Sequence, residues 1–214
     1  MKRFDSIRPY TDSEVQSVLQ QLSTNSDVVK AFISATKFGF LTKIPFSAWI
    51  ASKILQTKIK NIHTINDYQS IFENLVSNMI DTKTSGFTCN GFQNIKPNMS
   101  YLYMSNHRDI TVDPALLNYM LHQNNFKTTN IAVGNNLMSE AWASDLMRLN
   151  KSFIIDRTGK SKREIYQGLN LASEYIEDSI LEKNEPIWIA QKQGRAKDGL
   201  DKTDPALLKM IHLI

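Results

Sequence analysis

Apolar residues recur at helical spacing in the first part of the chain and at strand spacing beyond it. Val15, Val18, Leu19 and Leu22 fall on one side of a helix that Asp12 or Ser13 can cap. Tyr68, Ile71, Phe72, Leu75 and Met79 repeat the pattern and predict a second helix over about 66–80. Past Gly86 the stripes give way to short apolar runs. Strands are predicted at 87–92 and 100–105, separated by the turn Asn94-Ile95-Lys96-Pro97-Asn98, then at 129–133, 152–156 and 186–190. Helices are predicted at 114–122 and 140–149, and a long one over 161–181 carries Ile165, Leu169, Ala172, Ile176 and Ile180 on one face. Asp204-Pro205 opens a last helix. No Pro/Gly/Ser-rich linker or long repeat interrupts this order. Strands alternating with helices argue for an α/β fold, a mixed sheet flanked by helices over 81–214, preceded by an N-terminal helical segment over 1–80.

Composition narrows the class. The 214 residues suffice for one domain with a real core, and 42% hydrophobic residues exclude wholesale disorder. The single cysteine, Cys89, cannot form an internal disulfide, and no Cys/His cluster spaced for zinc is present. A reducing, cytoplasmic setting fits, and the N-terminus has no apolar run after its basic residues, so it does not read as a secretory signal. The net charge of +4 and pI of about 9.0 favour anionic partners such as phosphates or acidic lipid surfaces. They do not indicate nucleic acid, for which no recognition motif is present.

The most apolar region, 31–55, is interrupted by Lys37, Lys43 and Lys53, so no run approaches the ~20 residues of a membrane-spanning helix. Lys37, Phe38, Phe40, Lys43, Phe46, Trp49 and Lys53 make a basic, aromatic-bearing segment suited to a membrane interface. A helical pair packed on the domain with its lysines turned outward accounts for the same residues. The two readings are compatible.

Candidate chemistry concentrates in Ser105-Asn106-His107-Arg108-Asp109-Ile110-Thr111-Val112-Asp113. A neutral imidazole can take a proton from a hydroxyl or amine near pH 7, and a nearby carboxylate can hold its tautomer. A bound nucleophile can then attack an activated acyl group without a serine or cysteine of the protein. His63, His122 and His212 lack such surroundings in the sequence. Asp113 precedes Pro114 and so is also a natural helix N-cap, as Asp204 is in the repeated string Asp-Pro-Ala-Leu-Leu. Asp109 is the other acid in reach. Arg157 and Arg195 can each grip a phosphate, with Gly194 allowing close backbone approach; a solvated basic loop is the alternative. Asn135 and Asn136 either line a pocket or form a turn. Two motifs fail: His107-Arg108-Asp109 imitates a kinase catalytic loop, but Pro114 stands where its asparagine belongs, and Gly159-Lys160-Ser161 lacks the earlier glycine of a phosphate-binding loop.

Four pieces in order resemble the glycerolipid acyltransferases, the group that includes 1-acylglycerol-3-phosphate and glycerol-3-phosphate acyltransferases. They are Gly91-Phe92-Gln93-Asn94-Ile95 leading into Ser105-Asn106-His107, the His107–Asp113 segment, Phe153-Ile154-Ile155-Asp156-Arg157, and Gln193-Gly194-Arg195-Ala196-Lys197. The resemblance covers about residues 85–214. It implies transfer of a fatty acyl group from acyl-CoA or acyl carrier protein to a glycerol-phosphate or lysophospholipid hydroxyl, peripherally on the cytoplasmic face of a membrane. His107 and Asp113 would be catalytic, and Arg157, Gly194 and Arg195 would bind phosphate. No metal or other cofactor is expected. An amine acceptor, or a domain that binds acyl groups without turnover, are the alternatives. Three departures stand out. The family places its acid five residues after the histidine, where this chain has Val112; Asp113 is the sixth. Gln193 replaces the usual glutamate. The sequence stops at Ile214, before a fourth family motif, which reads as a fragment with a C-terminally incomplete core or as a shortened member.

Overall fold

A computed structural model describes residues 3–35, 47–137, 140–196, 198–200 and 202–212. The basic-aromatic stretch from Lys37 to Phe46 lies outside them, as does Lys197. Among the described residues, eight α-helices and four strands follow in the order α1 (Asp12–Thr24), α2 (Ser26–Ala35), α3 (Ser47–Ile59), α4 (Ile65–Lys83), β1 (Leu102–Ser105), α5 (Val112–Gln123), β2 (Asn130–Gly134), α6 (Ala141–Leu149), β3 (Ser152–Ile155), α7 (Lys162–Glu177), β4 (Ile187–Ala190) and α8 (Pro205–Ile211).

The α1 stripe behaves as its spacing predicts: Val15, Val18, Leu19 and Leu22 are buried against Tyr68 of α4 and Leu149 of α6. The helix starts from Thr11, whose N–H donates to the Glu14 carboxylate at 2.7 Å. The expected cap, Asp12, instead accepts the N–H of Ile65 at 2.8 Å and ties the start of α4 to α1. Val29 and Ile33 of α2 close on Ala51 of α3 in a smaller apolar cluster.

The described strands form one sheet in the order β1-β4-β2-β3, every pair parallel. The expected mixed sheet is therefore corrected to a parallel one. The strand predicted at 87–92 does not form: Gly91 adopts a left-handed φ of 103°, and Phe92–Asn94 wind into a 3₁₀ turn. Without it β1 pairs only with β4 among the described residues. Each remaining connection is a helical crossover, the kind that joins parallel strands of one sheet. On one face, Phe153, Ile187 and Ile189 pack against Ala172 and Ile176 of α7 and Leu207 and Met210 of α8, the main core. The α-helical part of α7 ends earlier than predicted, and Asp178–Glu182 continue it as a π turn. The other face carries a cavity roofed by α4, α5 and α6, with the candidate residues at its end.

Candidate active site

β1 delivers His107 to the C-terminal edge of the parallel sheet, where α/β folds place their ligand sites. Two carboxylates shape the turn that follows. Asp109 Oδ1 accepts the N–H groups of Thr111 and Val112, both at 2.9 Å, and so serves the start of α5. Those amide bonds, with the fields of Arg195 and His107 added, hold its carboxyl below the ordinary 3.8. The N-cap role expected of Asp113 is thus taken over; α5 begins at Val112, and Asp113 sits inside its first turn. Helical side chains lean back toward the helix N-terminus, so Asp113 points into the preceding loop. Its Oδ2 accepts the N–H of Arg108 at 2.7 Å and of Asp109 at 3.0 Å, and lies 3.1 Å from His107 Nδ1. The acid at the sixth position after the histidine thus reaches the ring.

With a carboxylate at Nδ1, that nitrogen carries the ring proton and Nε2 keeps a lone pair. The pair is largely shielded, the His107 and Asp113 side chains being 13% and 18% exposed. Behind the ring, Trp188 of β4 presents its indole at 66° with centroids 6.1 Å apart. Trp188 Nε1 donates to Ser105 Oγ at 2.9 Å, which fixes the indole against the end of β1.

The loop after β4 is stitched to the same place. Gln191 N–H donates to Ser105 O at 2.9 Å, and Ala196 N–H donates to His107 O at 2.7 Å. Gly194 turns the chain between these bonds with φ +74°, a conformation in which a side chain is strained even though a Cβ there would meet nothing within 4 Å. Arg157 arrives from the end of β3. Its turn is held by Asp156, which accepts from Asn135 Nδ2 and from Thr158 N–H. Arg157 Nε is buried and finds no hydrogen-bond partner among the described residues.

One cavity of about 840 Å³ collects these groups. His107, Arg157, Lys192, Gln193, Gly194 and Arg195 border one end, so four of the five residues singled out in the sequence share one space. Asp113, the fifth, supports the ring from behind. Asn136 faces the cavity, while Asn135 is committed to the Asp156 turn. Tyr68, Phe72, Val76 and Met79 of α4, with Leu146 and Met147 of α6, build an apolar flank away from the cations. The spacing of the α4 residues predicts a helix without saying whether it faces a core or a cleft. Phe72 and Leu75 remain 37% and 60% exposed, as a cleft wall does and a core face does not. His122 also borders the cavity, 3.3 Å from Glu73, a lining role that its surroundings in the sequence did not signal.

The arrangement can perform general-base chemistry at an acyl carbon: a carboxylate-steadied imidazole, three cations for an anionic ligand and an apolar flank for a hydrocarbon. A model of the acyltransferase family matches residues 86–198, just over half of the chain, from ahead of the His107 loop to past Arg195. No curated protein gives a significant match to the chain. The matched span includes His107, Asp113, Arg157, Gly194 and Arg195, and the chain belongs to the acyltransferase family.

Proposed function

We propose that the protein moves a fatty acyl group from a thioester, acyl-CoA or acyl carrier protein, to a hydroxyl of glycerol phosphate or a lysophospholipid, as a step in phospholipid synthesis on the cytoplasmic face of a membrane. One observation carries the reading: His107, paired with Asp113, borders the same cavity as Arg157, Lys192 and Arg195. The only carboxylate bordering that cavity among the described residues is Glu73, which is engaged by His122 and Gln123. A phosphate is therefore attracted to the end where the imidazole stands.

In this mechanism Nε2 of His107 takes the proton of the acceptor hydroxyl as its oxygen attacks the thioester carbonyl. Asp113 stabilises the imidazolium that forms. The tetrahedral intermediate collapses, the C–S bond breaks, and the imidazolium returns the proton to the departing thiolate. Ester and free thiol leave, and the site is restored. General-base help of this kind contributes about 10²–10⁴-fold, with alignment of the two substrates supplying much of the rest. Arg157 and Arg195 anchor the phosphate, and Gly194 shapes the loop that approaches it. Trp49 and Ile50 of α3, 64% and 38% exposed, suit a lipid interface where such acceptors reside.

The test is release of free thiol from acyl-CoA in the presence of glycerol 3-phosphate or a lysophosphatidate, read against a phosphate-free monoacylglycerol and an amine acceptor, with His107→Ala as control. Thiol release that needs both the phosphate-bearing hydroxyl and His107 is expected. Equal turnover in a folded His107→Ala variant overturns the mechanism, and preference for the amine overturns the acceptor.

A further inference from the structure

Alternation along two paired strands brings three side chains together behind the site. Tyr103 of β1 stands in register with Trp188 of β4, and Ser105 with Ala190. Register partners share a face of the sheet and every second residue returns to it, so Ser105 and Trp188 project from one face. His107 lies two positions beyond Ser105. Trp188, Ala190 and His107 all border the cavity, while Ile187 and Ile189 belong to the main core.

Trp188 is only 3% exposed, and a buried indole N–H needs an acceptor. Trp188 Nε1 donates to Ser105 Oγ at 2.9 Å, and Ser105 Oγ donates in turn to Asn106 O at 3.0 Å. That carbonyl belongs to the peptide bond that enters His107. On the other side of the residue, His107 O accepts the N–H of Ala196 at 2.7 Å. The backbone of the histidine is therefore pinned both before and after it. The ring can still turn about its Cβ–Cγ bond, a torsion with a broad minimum. Asp113, 3.1 Å from Nδ1, holds one atom of the ring. The indole, with centroids 6.1 Å apart and planes at 66°, occupies the space into which the ring would swing.

We propose that Trp188, locked through Ser105, is a positioning residue for acyl transfer: it keeps the His107 imidazole in the setting that presents Nε2 to the acceptor. The inference rests on the acyl-transfer reading above and adds to it a residue that acts through the general base. The lock has two separable parts. The ring of Trp188 supplies a wall, and the bond from its N–H to Ser105 sets where that wall stands. Trp188→Phe keeps most of the wall and lacks the bond. Ser105→Ala keeps the indole and removes its acceptor, together with the tie to Asn106.

Two measurements on the full chain decide it. The first is steady-state kinetics with acyl-CoA and a phosphate-bearing acceptor, circular dichroism confirming the fold. Ser105→Ala and Trp188→Phe are each expected to lower kcat by about tenfold while the KM of either substrate changes by less than about twofold. Ser105→Thr returns the hydroxyl and is expected to recover most of the loss. Because the same bond is removed in both, the double variant is expected to be no slower than the slower single one. Full additivity of the two losses, a raised KM with kcat unchanged, or an unaltered kcat in folded Ser105→Ala overturns the proposal. Should Trp188→Phe fail to fold, the two Ser105 variants carry the test. The second measurement is the proton on His107 Nδ1, read by NMR as a low-field signal missing from His107→Ala. It is expected in the unaltered protein and in Ser105→Thr, and lost to exchange with water in Ser105→Ala. A signal that persists in Ser105→Ala, or is absent from the unaltered protein, overturns the proposal as well. The signal needs no turnover, so it decides the positioning of His107 even if no acceptor is ever acylated, the result that would instead refute the proposed function.

Discussion

Asp113 Oδ2 lies 3.1 Å from His107 Nδ1 and accepts two backbone N–H groups of the connecting loop as well. The same carboxylate therefore orients the ring and fixes the loop that carries it. Its place in the first turn of α5 adds the favourable helix-end field.

Asp113→Asn separates these duties. The asparagine oxygen can still accept from Arg108 and Asp109, so the loop keeps its shape. It carries no charge to stabilise an imidazolium, and the fixed tautomer is lost. The expected result is a kcat lower by about a hundredfold to ten-thousandfold with acceptor KM little changed. Steady-state kinetics with acyl-CoA check it, circular dichroism confirming the fold. A variant retaining half of its kcat would remove Asp113 from the mechanism.

Much of this was legible in the sequence because local chemistry encodes it. The helices of α1, α4 and α7 followed from apolar spacing, and Asp204 caps Ala206 N–H at 2.8 Å as its Asp-Pro string implies. The identical string at Asp113 misled, since Asp109 four residues earlier already serves the amides of the turn and α5 starts before the proline. Nothing in Asp113's own neighbourhood distinguishes the two outcomes; the difference is set by a competing carboxylate. The strand expected at 87–92 had the right residue types but no partner to pair with, and β-propensity without a neighbouring ladder does not make a strand. That α4 walls a cavity is a tertiary fact, invisible in a spacing that core and cleft share.

The N-terminal part contains an acid-sensitive clamp. Arg8 Nη1 and Nη2 donate to the two Glu14 oxygens at 2.7 and 2.9 Å, and Arg8 Nε donates to Asp5 at 3.0 Å. The Arg8 guanidinium, seconded by the Thr11 N–H and hydroxyl against a desolvation cost, draws the Glu14 carboxyl from 4.5 down to about 2. A carboxyl depressed in the folded state stabilises fully above its unfolded pKa and ceases to do so as pH falls through the folded one. Glu14→Gln is expected to cost about 1–3 kcal/mol at pH 7 and to flatten the stability profile between pH 4.5 and 2. Urea unfolding at stepped pH measures both. Parallel acid limbs for the two proteins would show that the clamp contributes nothing.

Gly168 couples the helix α7 to the Arg157 end of the site. A Cβ built there would lie 2.5 Å from Asp156 O and 3.3 Å from Asp156 C, both backbone atoms that cannot swing aside. Asp156 holds the turn that presents Arg157. Gly168→Ala should gain helix propensity yet destabilise by about 1–3 kcal/mol, because overpacking outweighs it. The turn must shift, so acceptor KM should rise as well. A thermal melt beside an acceptor titration tests both, and a variant with raised Tm and unchanged KM would mean that the turn yields freely.

Arg157 offers the sharpest separation of function from stability. Its Nε is buried without a hydrogen-bond partner among the described residues, so the folded protein bears the cost of that group and gains no bond from it there. Truncating it removes an unsatisfied donor, and Arg157→Ala should leave Tm unchanged or higher. If the guanidinium receives the acceptor's phosphate, the same change should raise acceptor KM by about 10–100-fold, the worth of a charge-assisted bond. Turnover of a phosphate-free acceptor should be unaffected. Arg157→Lys should recover part of the loss, since an ammonium restores charge but not the planar fork. Calorimetry and kinetics on the two variants decide the matter together. A large fall in Tm would make Arg157 a structural residue, and equal loss with both acceptors would place its action on the acyl donor.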